Sequence, residues 1–322
     1  MEGGAKIFGV FRVKNHDFTP KNHIFSDFRG GGAPPPWIRP RNGCNISMST
    51  VRRVIDVAGF VATKPRYCQL IREPNKEARV AFCKALVDMD EQFEDVVFTD
   101  ESSIQSHYNK PVAYRQKDAM PPNQCRPKHP LKIHLWGRIS KRGLTQLLIF
   151  SGIMESEFYT NEILKNTLKP FLENVYPDGH RLQQDNDPKH TSIRAKNYMT
   201  ANNINWWKWP SESPDINPIE MVWSDLKRVV AKQNPTTLDQ LEMYCQQYWD
   251  TVMTPEKCTS YIDHLYKVVP LVVTVAGKAM ADLPGKLYPK YDCSIGLSIS
   301  HYENLIHTSE YQLKLGKLLG KQ

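Results

Sequence analysis

The sequence predicts an α/β protein in which helices cover both faces of a mixed sheet. Three observations carry that expectation. Extended runs come first and then alternate with helical stretches, in the order strands, helix, strand, helix, strand, helix. The stretch Glu73 to Asp90 carries Ala78, Ala81, Phe82, Ala85, Leu86 and Met89 at helical spacing, an amphipathic helix of ordinary length. A chain of 322 residues, 40% of them hydrophobic, is long enough to bury a sizeable core as one large domain or two ordinary ones.

Residues 1–47 show no sustained apolar period and contain Gly30-Gly31-Gly32-Ala33-Pro34-Pro35-Pro36, so an atypical, poorly ordered segment is expected there. The Asn45-Ile46-Ser47 sequon is expected to be idle. Thr50 can N-cap a short helix through Val51, Val54, Val57 and Ala58, with Gly59 as its stop. Arg52 and Arg53 then point outward, where a solvated basic turn is the plainer reading. The main domain is drawn from residue 64, after the Lys64-Pro65 break, to 275. Asp95 to Asp100 is a strand, and a polar hairpin-like stretch runs on through Tyr108, Val112 and Tyr114. Residues 116–130 hold Pro121, Pro122, Pro127 and Pro130 with Arg126 and Lys128, a loop too long for a simple connection. Ile133, Leu135 and Ile139 form a half-buried strand whose alternation breaks near Gly137, and Leu144 to Phe150 supplies another.

Ser156 to Val175 reads as a long helix kinked at Pro170. His180 to Asp185 is a strand, Ser192 to Thr200 a helix, and Ile204 to Trp209 a strand. Neighbouring Trp206 and Trp207 cannot both face inward from one strand. Two helices close the domain, Leu238 to Val252 and Pro255 to Tyr266, the second capped by Thr254. Residues 276–322, with scattered Gly, Pro and Ser, read as a divergent tail.

Composition narrows the partners. A net charge of +8 and a pI near 9.0 favour a polyanion without naming one. Seven widely spaced cysteines without a C-x-x-C pair point away from a disulfide framework or zinc knuckle. The longest apolar run, near Val268 to Ala276, is too short to cross a membrane, and no signal-peptide pattern opens the sequence. A reducing intracellular compartment is expected.

Three carboxylates stand at breaks in the backbone pattern. Asp100 ends the apolar run Val96-Val97-Phe98-Thr99; Asp185 precedes Asn186-Asp187-Pro188; Glu220 lies just inside a helix that Pro218 opens. Taken singly, each has an ordinary structural use: a strand end, an Asx-turn, and the glutamate of a capping box begun by Asn217. Together they are a set of hard oxygen donors suited to divalent cations. Glu101, Asp187 and Asp215 are nearby acids read as turn or supporting residues. Lys189 and His190 are placed to approach a phosphate or to shape a helix entry.

The blocks Phe98-Thr99-Asp100-Glu101-Ser102, Gln184-Asp185-Asn186-Asp187-Pro188-Lys189-His190 and Ser213-Pro214-Asp215-Ile216-Asn217-Pro218-Ile219-Glu220 resemble the catalytic motifs of mariner-superfamily DNA transposases. Between Asp185 and Glu220 lie 34 residues, the spacer of the Tc-type branch. The resemblance also takes in Trp136-Gly137, Gly152-Ile153-Met154 and Val222-Trp223, and spans residues 48–275. It implies a ribonuclease H-like fold and metal-dependent DNA cleavage and strand transfer at TA sites. Asp100, Asp185 and Glu220 would hold two Mg²⁺ or Mn²⁺ ions, with Asp100 shared between them. Double-stranded DNA, as transposon end and TA target, is the implied partner; assembly as a homodimer on DNA and a nuclear location follow. Family members carry two helix-turn-helix units before this domain, and here only Ser49 to Phe60 is similar to the end of the second. Residues 48–63 are thus a helix-turn-helix remnant and linker, whose Arg52 and Arg53, with Arg126, Lys128, Lys189 and His190, are the candidate DNA contacts. A domesticated or decayed derivative that binds DNA or protein without cutting is the competing reading. A hydrolytic nuclease or glycosidase rests on the acids alone.

Overall fold

The computed structural model of the chain describes residues 47–57, 59, 69–106, 131–280 and 298–319. The expectations for residues 1–46, for the stretch through Tyr108 to Tyr114 and for the Pro-rich loop with Arg126 and Lys128 lie outside the described residues. The chain divides into two compact units, residues 1–65 and 66–322.

In the first unit, α1 spans Met48–Val57. It begins three residues earlier than Thr50 capping would allow, because Ser47 supplies the cap: its Oγ accepts from the Thr50 N–H at 3.2 Å. Gly59 is the expected stop, with φ +81° and its N–H bonded to Asp56 O at 2.9 Å. Arg52 and Arg53 are exposed.

The second unit is built on a five-stranded sheet: β1 Val96–Gln105, β2 Lys132–Ser140, β3 Gly143–Leu144, β4 Leu148–Phe150 and β5 Arg181–Gln183. β2 pairs antiparallel with β1, β3 and β4, whereas β5 pairs parallel with β1 on its other side. The expected strand from Leu144 to Phe150 is thus two pieces, interrupted where Thr145 turns its carbonyl to the Trp249 indole N–H at 2.6 Å. Β1 is longer than its apolar run suggested: Asp100 lies mid-strand, because the ladder to β2 continues through Gln105. The strand expected over Ile204 to Trp209 reduces to one parallel bridge, Leu182 to Trp206. Trp206 is the exposed member of its pair, and Trp207 packs beneath the Arg181 guanidinium at 4.3 Å.

One face of the sheet is covered by α2 (Glu73–Asp88), α6 (Ile219–Gln233), α7 (Leu238–Val252), α8 (Pro255–Ile262) and α9 (Leu265–Thr274). The other face is covered by one continuous helical segment and by α5 (Ile193–Ala201). That segment consists of α3 (Ser156–Phe158), a π-helical stretch Tyr159–Leu168, and α4 (Lys169–Val175). Within it, Lys169 N–H reaches back to Leu164 O, the five-residue π bond, just before Pro170, which has no N–H to donate. The widened turn is the local answer to the proline.

Helix α2 turns a different face inward than its alanines suggested. Ala78, Ala81, Ala85 and Met89 face solvent, and Arg79, Cys83 and Leu86 are buried. The reason is Arg79, which binds Asp215 of the loop before Glu220 through two hydrogen bonds of 2.7 Å. At the C-terminal end, the stretch read as one helix to Tyr266 breaks at residues 263 and 264 and restarts as α9. Residues 298–319, where the sequence shows no clear pattern, hold α10 (Ile299–Ile306) and α11 (Ser309–Leu319). Ile299, Tyr302 and Ile306 of α10 enter the core beside α9 and α2. No helix among the described residues is long and apolar enough to cross a membrane.

Candidate active site

Asp100 and Glu220 are brought together by one strand and one helix. Asp100 faces Gly137 across the β1–β2 ladder, and its Oδ2 accepts from the Trp223 indole N–H at 3.1 Å. Trp223 follows Glu220 by three residues on α6, so the same helical face delivers the indole that holds Asp100 and the carboxyl that adjoins it. Glu220 does not close a capping box: Pro218 starts the helix without a side-chain cap, and Asn217 Oδ1 is buried without a partner among the described residues. The Glu220 carboxyl lies close enough to Asp100 for its charge to oppose ionisation of that residue.

Gly137 makes room for this arrangement. A Cβ there would lie 2.7 Å from Trp249 Cη2 and 2.8 Å from Trp223 Cη2, in a stacked indole pair whose centroids are 5.8 Å apart. Gly137→Ala is therefore expected to cost about 1–3 kcal/mol by overpacking. It should also push Trp223 off Asp100, which quenching or a shift of tryptophan fluorescence alongside a melting curve would register. An unchanged melting temperature and spectrum would show that the indoles yield freely.

Asp185 arrives from the other side of β1. The Thr99 hydroxyl donates to Gln183 O at 2.7 Å, and Tyr159 OH donates to Gln184 Oε1, so before Asp185 the chain is held by the Gln183 backbone and the Gln184 side chain. Asp185 Oδ1 accepts from the Asp187 N–H at 3.0 Å, the expected Asx-turn, and also meets His190 Nδ1 at 2.6 Å. The other ring nitrogen, Nε2, lies 2.9 Å from Glu101 Oε1. His190 is only 3% exposed, with the Tyr159 ring packed on it at 4.4 Å, so it is an interior partner of two carboxylates and not a surface cation for phosphate. Lys189 Nζ lies 2.9 Å from Asp187 Oδ2 and 3.7 Å from Glu101 Oε2.

The electrostatics follow from these contacts. Burial first, and then the Glu220, Glu101 and Asp185 charges, push the Asp100 carboxyl up to about 8. Burial also raises Glu220, with Lys227 and Asp100 offsetting part of it and Asp185 adding to it. Asp185 goes the other way: burial is outweighed by the His190 hydrogen bond and charge, the Asp187 amide and Lys189, and its carboxyl falls below the ordinary range. His190, which burial alone would lower, is raised to about 9 by Asp185 and Glu101, so both ring nitrogens donate. The three acids share one field, although among the described residues no three side chains form a ready-made ion cage. Two oxygen-donor side chains whose ionisation is opposed by burial and by neighbouring carboxylates fit a hard divalent cation, whose charge would favour their ionised forms.

Residues 95–242 match a family model described as DDE superfamily endonuclease. The Tc1 transposase of Caenorhabditis elegans is 31% identical over 238 residues, which cover 67% of this chain and 85% of that protein. The chain belongs to the Tc1/mariner family of DDE transposases. A second transposase, Tcb2 of Caenorhabditis briggsae, is 29% identical over 70% of this chain and 89% of its own length. Among solved structures, the Mos1 transposase paired-end complex with left transposon end superposes with a TM-score of 0.62 at 17% identity, covering 72% of this chain and 71% of that one. Mos1 paired-end complexes with Mn and with Mg give 0.62 and 0.61. That likeness shows the fold, a ribonuclease H-like sheet with helices on both faces. The matched region of this Tc1/mariner chain is a transposase catalytic domain, an enzyme domain that acts on DNA.

Of the residues singled out in the sequence, Asp100, Asp185, Glu220, Lys189 and His190 gather at this site. Arg52 and Arg53 lie in the other compact unit, and Arg126 and Lys128 lie outside the described residues. Sequence reasoning missed Trp223, Tyr159 and Arg79 as supports. Only Trp223 left a signal, its helical spacing from Glu220.

Proposed function

We propose that this chain is an active cut-and-paste transposase in which Asp100, Asp185 and Glu220 hold two divalent cations, Mg²⁺ or Mn²⁺. The observation that carries the proposal is the placement of Asp100 on β1 beside the helix face that carries Glu220, joined by the Trp223 indole N–H that Asp100 accepts at 3.1 Å, with the Glu220 and Asp185 charges both opposing ionisation of Asp100. The Mos1 complexes with Mn and Mg support the choice of ions. When bound, such ions supply activation of an attacking oxygen and stabilisation of a leaving one. The protein's own task is placement. Trp223 holds Asp100, α6 presents Glu220 from a rigid element, and the turn after β5 presents Asp185. In-line attack by water, and then by a DNA 3′-hydroxyl, needs no covalent protein intermediate.

The substrate in this proposal is a duplex transposon end, with TA-containing DNA as target and a homodimer forming on the DNA; chromosomal DNA as target implies a nuclear location. Arg52, Arg53, Arg126, Lys128 and Lys189 are the proposed phosphate contacts. Residues 48–63 serve as a remnant reader joined to the catalytic unit. The test is a strand-transfer assay with a pre-cut 3′-hydroxyl duplex and a TA-containing plasmid in Mg²⁺ or Mn²⁺. Joined products at TA are expected. Ends that are only hydrolysed would mark a plain nuclease, and no product in either metal would mark a derivative that binds without cutting.

Binding is expected to be largely independent of sequence, because base readout needs a recognition helix held by a complete helix-turn-helix. In a competition assay at moderate salt, random duplex should compete nearly as well as the element's own ends, and affinity should fall steeply with salt. Replacing Arg52 and Arg53 together with Ala should lower affinity evenly across sequences. A preference for the terminal repeat on the order of 10³ would overturn this expectation.

A further inference from the structure

We propose that His190 is a positioning residue that sets the orientation of the Asp185 carboxylate, by tying it across the site to Glu101, the strand neighbour of Asp100. The inference rests on the reading of Asp185 as a metal ligand. A carboxylate on a loop rotates about its side-chain torsions, and Asp185 is 56% exposed on its side chain, so packing alone does not fix it. His190 does. Its Nδ1 lies 2.6 Å from Asp185 Oδ1, which also takes the Asp187 N–H at 3.0 Å. One oxygen is thus pinned by two contacts, and Oδ2 is the oxygen those contacts leave over.

The imidazole is itself immobilised. Its Nε2 lies 2.9 Å from Glu101 Oε1, and Tyr159 covers its ring at 4.4 Å. Tyr159 opens the π-helical segment and is buried in the second core, and its hydroxyl binds Gln184, the residue before Asp185. Strand β1, the loop after β5 and the helical segment that covers them therefore meet at one ring. Partners that orient a metal-binding side chain typically matter about 10- to 100-fold in metal affinity or activity.

The test uses the full chain and three variants, and reads Mn²⁺ affinity by calorimetric titration beside the metal-free melting temperature. His190→Ala should bind Mn²⁺ about 10- to 100-fold more weakly than the parent chain. The two amide variants separate orientation from mere filling of the site. Asn places its amide nitrogen where Nδ1 stands and can still donate to Asp185; Gln places it where Nε2 stands and serves Glu101 instead. His190→Asn should therefore recover most of the Mn²⁺ affinity and His190→Gln little of it, and DNA cleavage should follow the same order. Equal loss in both amide variants, with lowered melting temperatures, would reduce His190 to a packing role and overturn the proposal, as would unchanged affinity in His190→Ala. Should His190→Ala fail to fold, the Asn and Gln pair still decides. If the parent chain itself binds no Mn²⁺, the metal assignment fails, and this proposal with it.

Discussion

Replacing Asp185 with Asn is expected to abolish divalent-metal-dependent DNA cleavage and leave the fold intact. Asn keeps the shape, and its carbonyl oxygen can still accept from the Asp187 N–H that Asp185 now takes at 3.0 Å. What it loses is the charge. Lost metal-assisted stabilisation of several kcal/mol, taken as about 4, corresponds to about a thousandfold in rate. A single-turnover nicking assay with Mn²⁺ measures this, and a melting curve verifies folding. Cutting at nearly the parental rate would transfer the ligand role to another acid. Asp187 would be the first to test, although its side chain already binds Lys189 Nζ at 2.9 Å.

The largest loss of stability is expected from Arg79→Ala. Arg79 is fully buried in α2 and makes four hydrogen bonds: two to the Asp215 carboxylate at 2.7 Å, one to Glu212 O at 3.2 Å and one to Gly277 O at 3.0 Å. Asp215 in turn accepts from the Met280 N–H at 2.9 Å. Gly277 must be a glycine for this approach, since at φ +75° a Cβ would fall 2.4 Å from Lys76 O. Removing the guanidinium leaves a largely buried carboxylate and two carbonyls without their donor. Breaking such a pair from one side costs about 3–5 kcal/mol, which for a domain of this size lowers Tm on the order of 10 °C. Chemical denaturation of Arg79→Ala, Asp215→Ala and the double variant gives the coupling directly. A loss below about 1 kcal/mol, or strictly additive effects, would show that water replaces the pair at little cost.

The acids and their support were legible to different degrees. The ordered motifs around Asp100, Asp185 and Glu220 are local in sequence, as are the turn after Asp185 and the proline that opens α6. Their resemblance to a known catalytic pattern could be read without coordinates. Arg79 could not, because its partner lies 136 residues away and its position on an amphipathic helix looked like a solvent face. His190 was read as a candidate for phosphate for a similar reason. A histidine beside a lysine in a polar loop looks exposed until the chain folds Glu101 and Tyr159 onto it.

By itself, the sequence determined the class of the fold, the order of most of its elements, the family and the three acids on which the chemistry is proposed to rest. Each of these depends on short-range patterning: periodicity, Gly and Pro punctuation, and motif spacing. Only the tertiary structure decided which face of α2 is buried, that β1 runs past Asp100, that α10 joins the core, and that an imidazole stands between Asp185 and Glu101. Those outcomes depend on pairings between residues distant in the chain, where one buried charge finding its partner outweighs the preference of several alanines. Local pattern carries no record of that choice.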